Sequence, residues 1–401
     1  MKEIEYKICQ RCVMDTSVED IKFDNKGICN YCSDFLKNSS NVLEINPSEQ
    51  NLKLKTLIKE VKKSGKGKKY DCVVGVSGGV DSSWALVQAV KHGLRPLAVH
   101  MDNGWNSELA QNNIANLVRK LEVDLYTHVI DWTEYKNLML SFLEADVIDV
   151  ELLYDNAMFG LNYKQANKYG IKYILSGMNT TSEGMVIPKT WNWHKYDKKN
   201  IVQIGKKFKN VKLRTFPAIG TLYYIYSKFL KGIQWVPFPD YFQFNKVDVM
   251  KILQSEFDYK PYPYKHYESV FTRFYQGYIL PNKFNVDKRR VHLGTLVAAG
   301  QMKRNDAIKD LEGIPYPSNR ALEDDKEYFL KKMGWTNKDL EEYINRPGKS
   351  HSDYPSEKSL FYTILKGGEE RPFYYTLKKI YKSIRVLFRK INNYKDFTKL
   401  K

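Results

Sequence analysis

The feature of this sequence that most constrains its fold is a short apolar run, residues 71–76, followed by a glycine- and serine-rich loop, residues 77–83. The run is typical of a buried parallel strand, and a helical pattern begins directly after the loop. Its glycines allow close backbone approach, and its acidic and hydroxyl groups stand where a helix exposes unpaired N–H groups. Such a corner predicts an anion site, most often for phosphate, although a glycine turn without a ligand is the alternative. The assigned residues are Ser77, Gly78, Gly79, Asp81, Ser82 and Ser83.

The loop is not a Walker A loop, because no Gly-Lys-Ser/Thr sequence closes it. After it, strand and helix patterns alternate, which predicts an α/β fold with a doubly wound parallel sheet. The predicted strands are residues 72–76, 94–101, 124–130 and 172–176. Ligands bind at the carboxyl ends of strands in such sheets. We therefore expect one crevice bordered by the loops 77–83, 102–105, 131–132 and 177–183.

A second polar corner follows the fourth predicted strand, at residues 177–184. Its glycine, hydroxyl groups and carboxylate suit phosphate oxygens and Mg²⁺, so Gly177 and Glu183 are candidate ligand residues. An ordinary polar loop is the alternative interpretation.

Four of the five cysteines form two Cys-x-x-Cys pairs, Cys9 with Cys12 and Cys29 with Cys32, separated by sixteen residues. This spacing is typical of a closed, structural four-thiolate zinc site, which folds a segment too short to form its own core. Disulfides and a redox or iron–sulfur site are the alternatives, and an intracellular chain disfavours disulfides. Cys72 lies in the first predicted strand and is expected to be a small core residue.

Composition indicates a folded, basic protein. With 43% hydrophobic and 14% aromatic residues the chain is not intrinsically disordered, and 401 residues suggest two or three domains. The net charge of +18 favours anionic partners without choosing among nucleic acid, a membrane surface and nucleotide-linked substrates. The charged N-terminus does not resemble a signal peptide, and no apolar run is long enough for a transmembrane helix. We therefore expect a cytoplasmic protein.

The second half of the chain contains three further patterns. Aromatic residues and lysines between residues 190 and 239 favour helix packing over stacking on nucleic-acid bases. A cation-rich stretch, residues 264–292, suggests an anionic ligand, with Arg273, Lys283 and Lys288 as candidates. Residues 372–401 predict a basic amphipathic helix that packs on the protein or adheres to an acidic membrane surface.

The loop 77–83 resembles the PP-loop of the ATP pyrophosphatase superfamily, whose members cleave ATP between the α and β phosphates. The resemblance implies that the assigned loop residues wrap pyrophosphate, and that the second strand end, with His100 and Met101, lies near adenine. It also implies a nucleophile that displaces AMP. Sulfur chemistry often needs a reactive cysteine, whereas the zinc pairs use four of five. No Gly-x-Cys-x-Gly motif or cysteine after Met1 indicates a glutaminase, so we expect ammonia from solution or from a separate subunit.

Together with the cysteine pairs, several motifs resemble the N-acetyl sugar amidotransferase family. They lie at residues 76–83, 100–107, 175–179, 265–269, 271–277, 280–284, 287–289 and 292–293. The resemblance covers roughly residues 8–315, and residues 258–263 depart from the glycine-rich sequence expected there. It implies an enzyme that converts an acetamido group of a bacterial surface sugar into an acetamidino group through an adenylated intermediate.

The resemblance further implies ATP and Mg²⁺, with Asp81 or Glu183 near the metal, and Arg273, Lys283 and Lys288 as cationic catalytic residues. It implies a separate glutaminase with a cyclase-like partner subunit as the ammonia source, and no nucleic-acid partner. The predicted organisation is a zinc-knuckle module (1–45), an ATP-binding domain (66–240) and a mainly helical region (241–401). The alternatives are a PP-loop enzyme that modifies tRNA and a non-catalytic nucleotide- or nucleic-acid-binding module.

Overall fold

A computed structural model of the chain describes residues 5–262 and 267–365, and its centre is a five-stranded parallel sheet. The strand order is β3-β2-β1-β4-β5. The strands are β1 (Cys72–Gly75), β2 (Pro96–Asp102), β3 (Leu125–Val129), β4 (Tyr173–Ser176) and β5 (Gln234–Pro237).

Helices connect and surround the strands. Those up to β5 are α1 (Asn30–Leu43), α2 (Pro47–Gly65), α3 (Val80–Lys91), α4 (Glu108–Leu121), α5 (Trp132–Glu144), α6 (Leu152–Lys168), α7 (Thr180–Glu183), α8 (Lys198–Lys209) and α9 (Thr221–Ile225). Those after β5 are α10 (Lys246–Phe257), α11 (Val270–Phe274), α12 (Leu280–Phe284), α13 (Arg289–Ala298), α14 (Arg304–Leu311), α15 (Asn319–Met333), α16 (Asn337–Asn345) and α17 (Lys358–Leu365). Single π-helical turns extend α9 (Tyr226–Leu230) and join α11 to α12 (Tyr275–Ile279), and 3₁₀ turns lie at Phe238–Tyr241 and His351–Asp353.

The sheet is covered on both faces, as the alternating pattern predicted. Val73 and Ile174 belong to one core, which includes side chains of α5 and α6. Val74 and Leu175 point to the other core, which includes side chains of α2, α3 and α4. Neighbouring residues of a strand face opposite sides of a sheet, so each strand supplies both cores.

The four predicted strands are present to within a few residues, whereas β5 was not predicted. Only Val236 of β5 is buried, and Pro237 ends the strand, so its sequence lacks the apolar run that indicates a central strand. Its position at the sheet edge explains the weak pattern, since an edge strand needs neither two buried faces nor every N–H group.

The predicted core roles of Cys72 and of the aromatic stretch are confirmed. Cys72 is fully buried, and burial raises the pKa of its thiol. Trp191, Trp193 and Tyr224 are also buried. No helix in the described part of the chain has the length and hydrophobicity needed to cross a bilayer. The predicted C-terminal amphipathic helix lies outside the described residues.

The helical region after β5 shares its core with the sheet. Trp105, which follows β2, contacts Phe271 of α11 at 5.5 Å and Phe329 of α15 at 6.1 Å between ring centroids. Cys9 and Cys32 belong to the same continuous core. The segment boundaries predicted at residues 45, 66 and 240 remain predictions, although side chains from all three segments pack together.

This shared core predicts that a change in α15 destabilises the whole chain. Phe329 is fully buried, so Phe329→Ala is expected to lower the free energy of unfolding by about 3–5 kcal/mol, through lost burial and a cavity. Urea denaturation followed by circular dichroism measures this change. The control is Tyr328→Ala, because Tyr328 is 42% exposed. An early transition confined to part of the signal, with the sheet unaffected, would contradict a shared core.

Candidate active site at the β1–β4 corner

The candidate site lies at the carboxyl ends of β1 and β4, which are neighbours in the sheet. The chain proceeds from β1 to β2 and β3 on one side, and then crosses to β4 on the other side of β1. In an open parallel sheet, ligands bind where the strand order reverses in this way. The loops 77–83 and 177–183 follow these two strands and meet there.

The loop after β1 has a geometry that only glycine permits at its centre. Gly78 has a φ of +85°, and a Cβ atom there would lie 2.7 Å from the carbonyl oxygen of Ala110. The hydroxyls of Ser77 and Ser82 lie 3.1 Å apart across the loop. Gly79 is the N-cap of α3 and provides no side-chain cap, so the first turn of α3 has donors suited to an anion.

The loop after β4 packs directly against the start of α3. A Cβ atom at Gly177 would lie 2.5 Å from the amide nitrogen of Ser82 and 2.6 Å from the carbonyl carbon of Asp81. Asn179 donates a hydrogen bond to Asp81 Oδ1 (3.2 Å) and also caps α7 by accepting from Ser182 N–H. The two corners therefore form one structure in which β4 positions the Asp81 carboxylate.

Other predicted residues of this site differ in exposure. Ser83 is buried, and its N–H group donates to the Gly79 carbonyl within the first turn of α3. Glu183 is exposed at the end of α7. Their ligand roles remain predictions.

His100 and Met101 lie on β2 beside the loop. The His100 ring contacts the Val76 carbonyl through Nδ1 (2.9 Å) and the Asn106 amide through Nε2 (3.1 Å). A carbonyl accepts and an amide N–H donates, so we assign the proton to Nδ1. Burial lowers the pKa of His100, which favours this neutral form. Met101 is 5% exposed, so its backbone is the part best suited to contact a base.

Three residues that the sequence analysis did not assign to the site also reach the loop. Tyr259 and Tyr262 each donate a hydroxyl hydrogen bond of 3.1 Å to the Gly78 carbonyl. The Glu268 carboxylate lies 3.7 Å from where a Cβ atom of Gly79 would be. The two tyrosines lie in residues 258–263, which depart from the expected glycine-rich sequence. This departure was the one feature of the sequence that could have indicated their contact with the loop.

Glu268 is positioned by the loop after β2. Its carbonyl accepts from Ser107 N–H (2.8 Å), and the Val270 N–H donates to the Trp105 carbonyl (3.1 Å). These bonds join the start of the α11 segment to the crevice. Burial, and after it the Glu268 charge, raise the pKa of the Tyr154 hydroxyl on α6.

A polar cluster extends from there along the beginning of α6. Lys288 pairs with Glu151 at 2.5 Å, and Lys195 bridges Asp149 at 2.7 Å and Asp155 at 2.8 Å. Burial raises the pKa of Asp155. Burial also opposes ionisation of Asp149, but the nearby Lys195 and Lys288 charges outweigh it and lower the Asp149 pKa. The two lysines therefore belong to one electrostatic cluster.

The other two predicted cationic residues form ion pairs away from the loop 77–83. Arg273 pairs with Asp325 of α15, which also accepts from the Tyr316 hydroxyl at 3.0 Å. The Lys283 side chain is fully buried and pairs with Asp146 at 3.1 Å. None of these contacts brings Arg273 or Lys283 to the loop 77–83, and their catalytic roles remain predictions.

The four paired cysteines form a compact cluster in the N-terminal segment. All four are fully buried, and their sulfur atoms lie within 4.8 Å of one another, with Cys12 and Cys29 at 3.8 Å. A tetrahedron of Zn–S bonds of about 2.3 Å gives sulfur separations of about 3.8 Å, so the residues fit zinc. The N–H group of Cys29 also points at Cys9 Sγ (3.3 Å), which suits a thiolate.

The N-terminal segment that contains these cysteines, called here the cysteine module (residues 5–45), packs against the loop after β4. Arg304 of α14 donates to the carbonyl oxygens of Cys9 and Cys12, at 2.8 Å and 3.0 Å. The Phe35 ring of α1 lies close to Gly184, directly after α7. The module thus packs next to the loop whose Asn179 contacts Asp81.

The buried pairing of Lys283 predicts a loss of stability on substitution. Lys283→Met leaves Asp146 with Arg346 as its cationic partner and is expected to lower the free energy of unfolding by about 1–3 kcal/mol. Chemical denaturation measures this loss. The control is Lys338→Met, because the Lys338 side chain is 84% exposed. Unchanged stability with lost turnover would instead support a catalytic Lys283.

The cysteine geometry predicts about one tightly bound zinc per chain. Cys12→Ser is expected to reduce the zinc content measured by elemental analysis and to lower the melting temperature, because the metal orders this segment. Cys72→Ser serves as the control, since it alters a buried cysteine outside the cluster and should retain zinc. Iron with a visible absorption band would contradict the zinc assignment.

Comparisons with known proteins place one segment in a family. Residues 268–366 match the model of the C-terminal domain of WbpG-like LPS biosynthesis proteins. An uncharacterized protein of Methanocaldococcus jannaschii is 32% identical over 128 residues, which are 31% of this chain and 44% of that protein. The match therefore spans less than half of this relative's length.

Three solved structures are similar to parts of the chain. An NMN synthetase from Francisella tularensis has a TM-score of 0.28 at 17% identity and covers 56% of this chain and 100% of its own. An NH3-dependent NAD synthetase from Campylobacter jejuni subsp. jejuni has a TM-score of 0.27 at 14% sequence identity, and the match covers 53% of this chain and 84% of that chain. A 4-thiouridine synthetase in complex with RNA and bound ATP has a TM-score of 0.25 at 18% sequence identity, and the match covers 48% of this chain and 51% of that chain.

Proposed function

We propose that this chain is an ATP-dependent amidotransferase that converts an acetamido group of a bacterial surface sugar into an acetamidino group. The observation that carries the proposal is the position of Glu268. It begins the segment that matches the WbpG-like LPS biosynthesis family, and its carboxylate lies beside Gly79 of the anion-binding loop. A segment of surface-sugar biosynthesis type thus borders a corner suited to nucleotide phosphates.

The first half of the proposed reaction takes place at the β1–β4 corner. The amide oxygen of the acetamido group attacks the α phosphate of ATP, and the bond to the β phosphate breaks to release pyrophosphate. The loop 77–83 holds the pyrophosphate through its hydroxyls and the N–H groups that begin α3. Mg²⁺ would neutralise phosphate charge, with Asp81 or Glu183 as the carboxylate that would hold it.

In the second half, ammonia attacks the adenylated imidate carbon, the carbon–oxygen bond breaks, and AMP leaves. Ammonia fits the chain better than sulfur, because all five cysteines are buried and four of them form the candidate zinc site. A thiol that relays sulfur needs to be accessible and of low pKa, whereas burial raises the pKa of Cys72.

The acceptor sugar is proposed to lie between the loop and the polar cluster of α6. The segment that begins at Glu268 reaches this cluster, because the Gln276 amide donates to the Glu151 carboxylate at 2.9 Å. Lys288 and Gln276 both contact Glu151, so this group offers donors and an acceptor to a polyhydroxylated or acidic sugar. Of the three cationic residues predicted from the sequence, Lys288 is therefore the one that we propose for contact with the substrate.

Ammonia is proposed to come from a separate glutaminase with its cyclase-like partner subunit. In an assay with the isolated chain, ammonium salts replace that source.

The proposal predicts AMP and pyrophosphate release that requires ammonium and an N-acetylated sugar. Purified protein is incubated with ATP, Mg²⁺, ammonium chloride and a panel of nucleotide-linked N-acetylated sugars, and AMP is quantified by chromatography. Mass spectrometry of the sugar should show the exchange of oxygen for NH. Asp81→Ala and Gly177→Ala are expected to reduce AMP release at least about 100-fold, since both alter the site of charge stabilisation.

The controls are Asp248→Ala and Leu52→Ala. The Asp248 side chain is 69% exposed and Leu52 is 65% exposed, and both lie outside the two loops, so both variants should retain turnover. Turnover that depends on tRNA and ignores sugars would indicate a tRNA-modifying enzyme. Nucleotide binding without turnover for any acceptor would indicate a non-catalytic module.

A further inference from the structure

The end of the sheet formed by the amino termini of the strands lies opposite the candidate site. It carries a set of lysines that the proposed function does not use. They lie at the amino ends of β1, β4 and β5 and on the adjoining helices. Their loops are in contact, because Lys68 donates to the Gly170 carbonyl (2.7 Å) and Lys172 donates to the Lys231 carbonyl. We define the basic edge as Lys68, Lys69, Lys168, Lys172, Lys228 and Lys231.

Two acidic residues near this edge are paired with basic side chains, and Glu60 accepts a hydrogen bond from the Tyr173 hydroxyl. Asp71 is buried and bound to Arg95 at 2.7 Å, and Asp124 is bound to Lys69 at 2.9 Å. Lys228 and Lys231 lie instead over aromatic rings, with the Lys231 ammonium 5.4 Å from the centroid of the Tyr226 ring. The edge therefore keeps a positive charge that can meet an anionic partner.

An apolar ridge stands beside the basic edge, along α9 and its π-helical extension. Leu222, Tyr226 and Leu230 are spaced by four residues and share one face, and they are 67%, 39% and 54% exposed. The opposite face contains Tyr224, which is buried against Tyr163 of α6. We define these three exposed residues as the apolar ridge. A large aliphatic surface in water indicates an interaction site.

We propose that the basic edge and the apolar ridge together form a peripheral binding surface for an anionic lipid bilayer. Lysines at a membrane surface attract acidic headgroups, while leucine and tyrosine side chains enter the region between headgroups and acyl chains. A nucleic acid would use the lysines but would gain little from Leu222 and Leu230, since stacking on bases requires aromatic faces.

The sequence that follows the described structure supports this partner. Residues 366–401 contain eleven Lys and Arg against three Asp and Glu. The described chain ends with α17, whose Phe361 lies 5.9 Å from Tyr224 of α9 between ring centroids. The strongly basic sequence thus continues from a helix that packs on α9, against the face opposite the apolar ridge. This surface lies at the amino ends of the strands, whereas the β1–β4 corner lies at their carboxyl ends. Bilayer binding would therefore leave that corner accessible.

Vesicle binding by the full chain tests the proposal. Protein is sedimented with vesicles of phosphatidylcholine alone or with added phosphatidylglycerol, at low and high salt. We expect binding that requires phosphatidylglycerol and weakens with salt. Lys228→Glu combined with Lys231→Glu should reduce the partition coefficient by about 30-fold or more, given the usual contribution of each lysine near an anionic surface.

Matched controls distinguish a contribution of this surface to vesicle binding from a general effect of net charge. Lys331→Glu with Lys338→Glu introduces the same charge change on exposed residues of α15 and α16 and should bind vesicles nearly as the unmodified chain does. For the ridge, Leu222→Ser with Leu230→Ser should weaken binding. The corresponding control is Leu52→Ser with Val247→Ser, because these residues are equally exposed, at 65% and 64%.

Three results would overturn the proposal. Equal losses for the basic-edge variant and its charge control would show a non-specific effect of net charge. Unchanged binding by the ridge and basic-edge variants would assign any membrane contact to residues 366–401 alone. Tight binding of single-stranded RNA, lost in the basic-edge variant while vesicles are ignored, would identify a nucleic-acid surface. AMP release measured in parallel distinguishes each of these results from a failure of the proposed function.

Discussion

The contact between Gly177 and the first turn of α3 is the constraint on which the candidate site depends. Because the backbones of Asp81 and Ser82 lie within 2.6 Å of where a Cβ atom would be, β4 and α3 approach as closely as two main chains can. This approach lets Asn179 reach the Asp81 carboxylate. The order of the parallel sheet makes the contact possible, because it places β4 directly beside β1.

The other parts of the chain converge on the same corner. The helical region contributes Glu268 and the hydroxyls of Tyr259 and Tyr262, and the cysteine module packs against the loop that follows β4. Zinc bound by the four cysteines would have a mechanical consequence, because loss of order in this segment would remove support from α7. The N-terminal and helical segments thus complete a site that the sheet alone would leave open.

Charge pairing explains why the cationic stretch was difficult to interpret from sequence. Arg273, Lys283 and Lys288 have few acidic neighbours along the chain, which favoured an anionic ligand. Their carboxylate partners lie 52 or 137 residues away in sequence, where no local pattern reveals them. Two of these cations hold helices together at the positions described, and Lys288 belongs to the polar cluster next to the candidate site.

Local patterns by themselves determined the parallel α/β class, four of the five strands, the glycine-rich corner after β1 and the cysteine cluster. These features follow from short-range rules, namely hydrophobic periodicity, glycine conformations and the spacing of cysteines. Only the tertiary structure decided that Glu268 and two tyrosines border the loop, and which carboxylates pair with the cations. It also decided that the sheet separates the candidate site from the basic edge. Such relations join residues far apart in sequence, and they depend on strand order and helix packing rather than on any local signal.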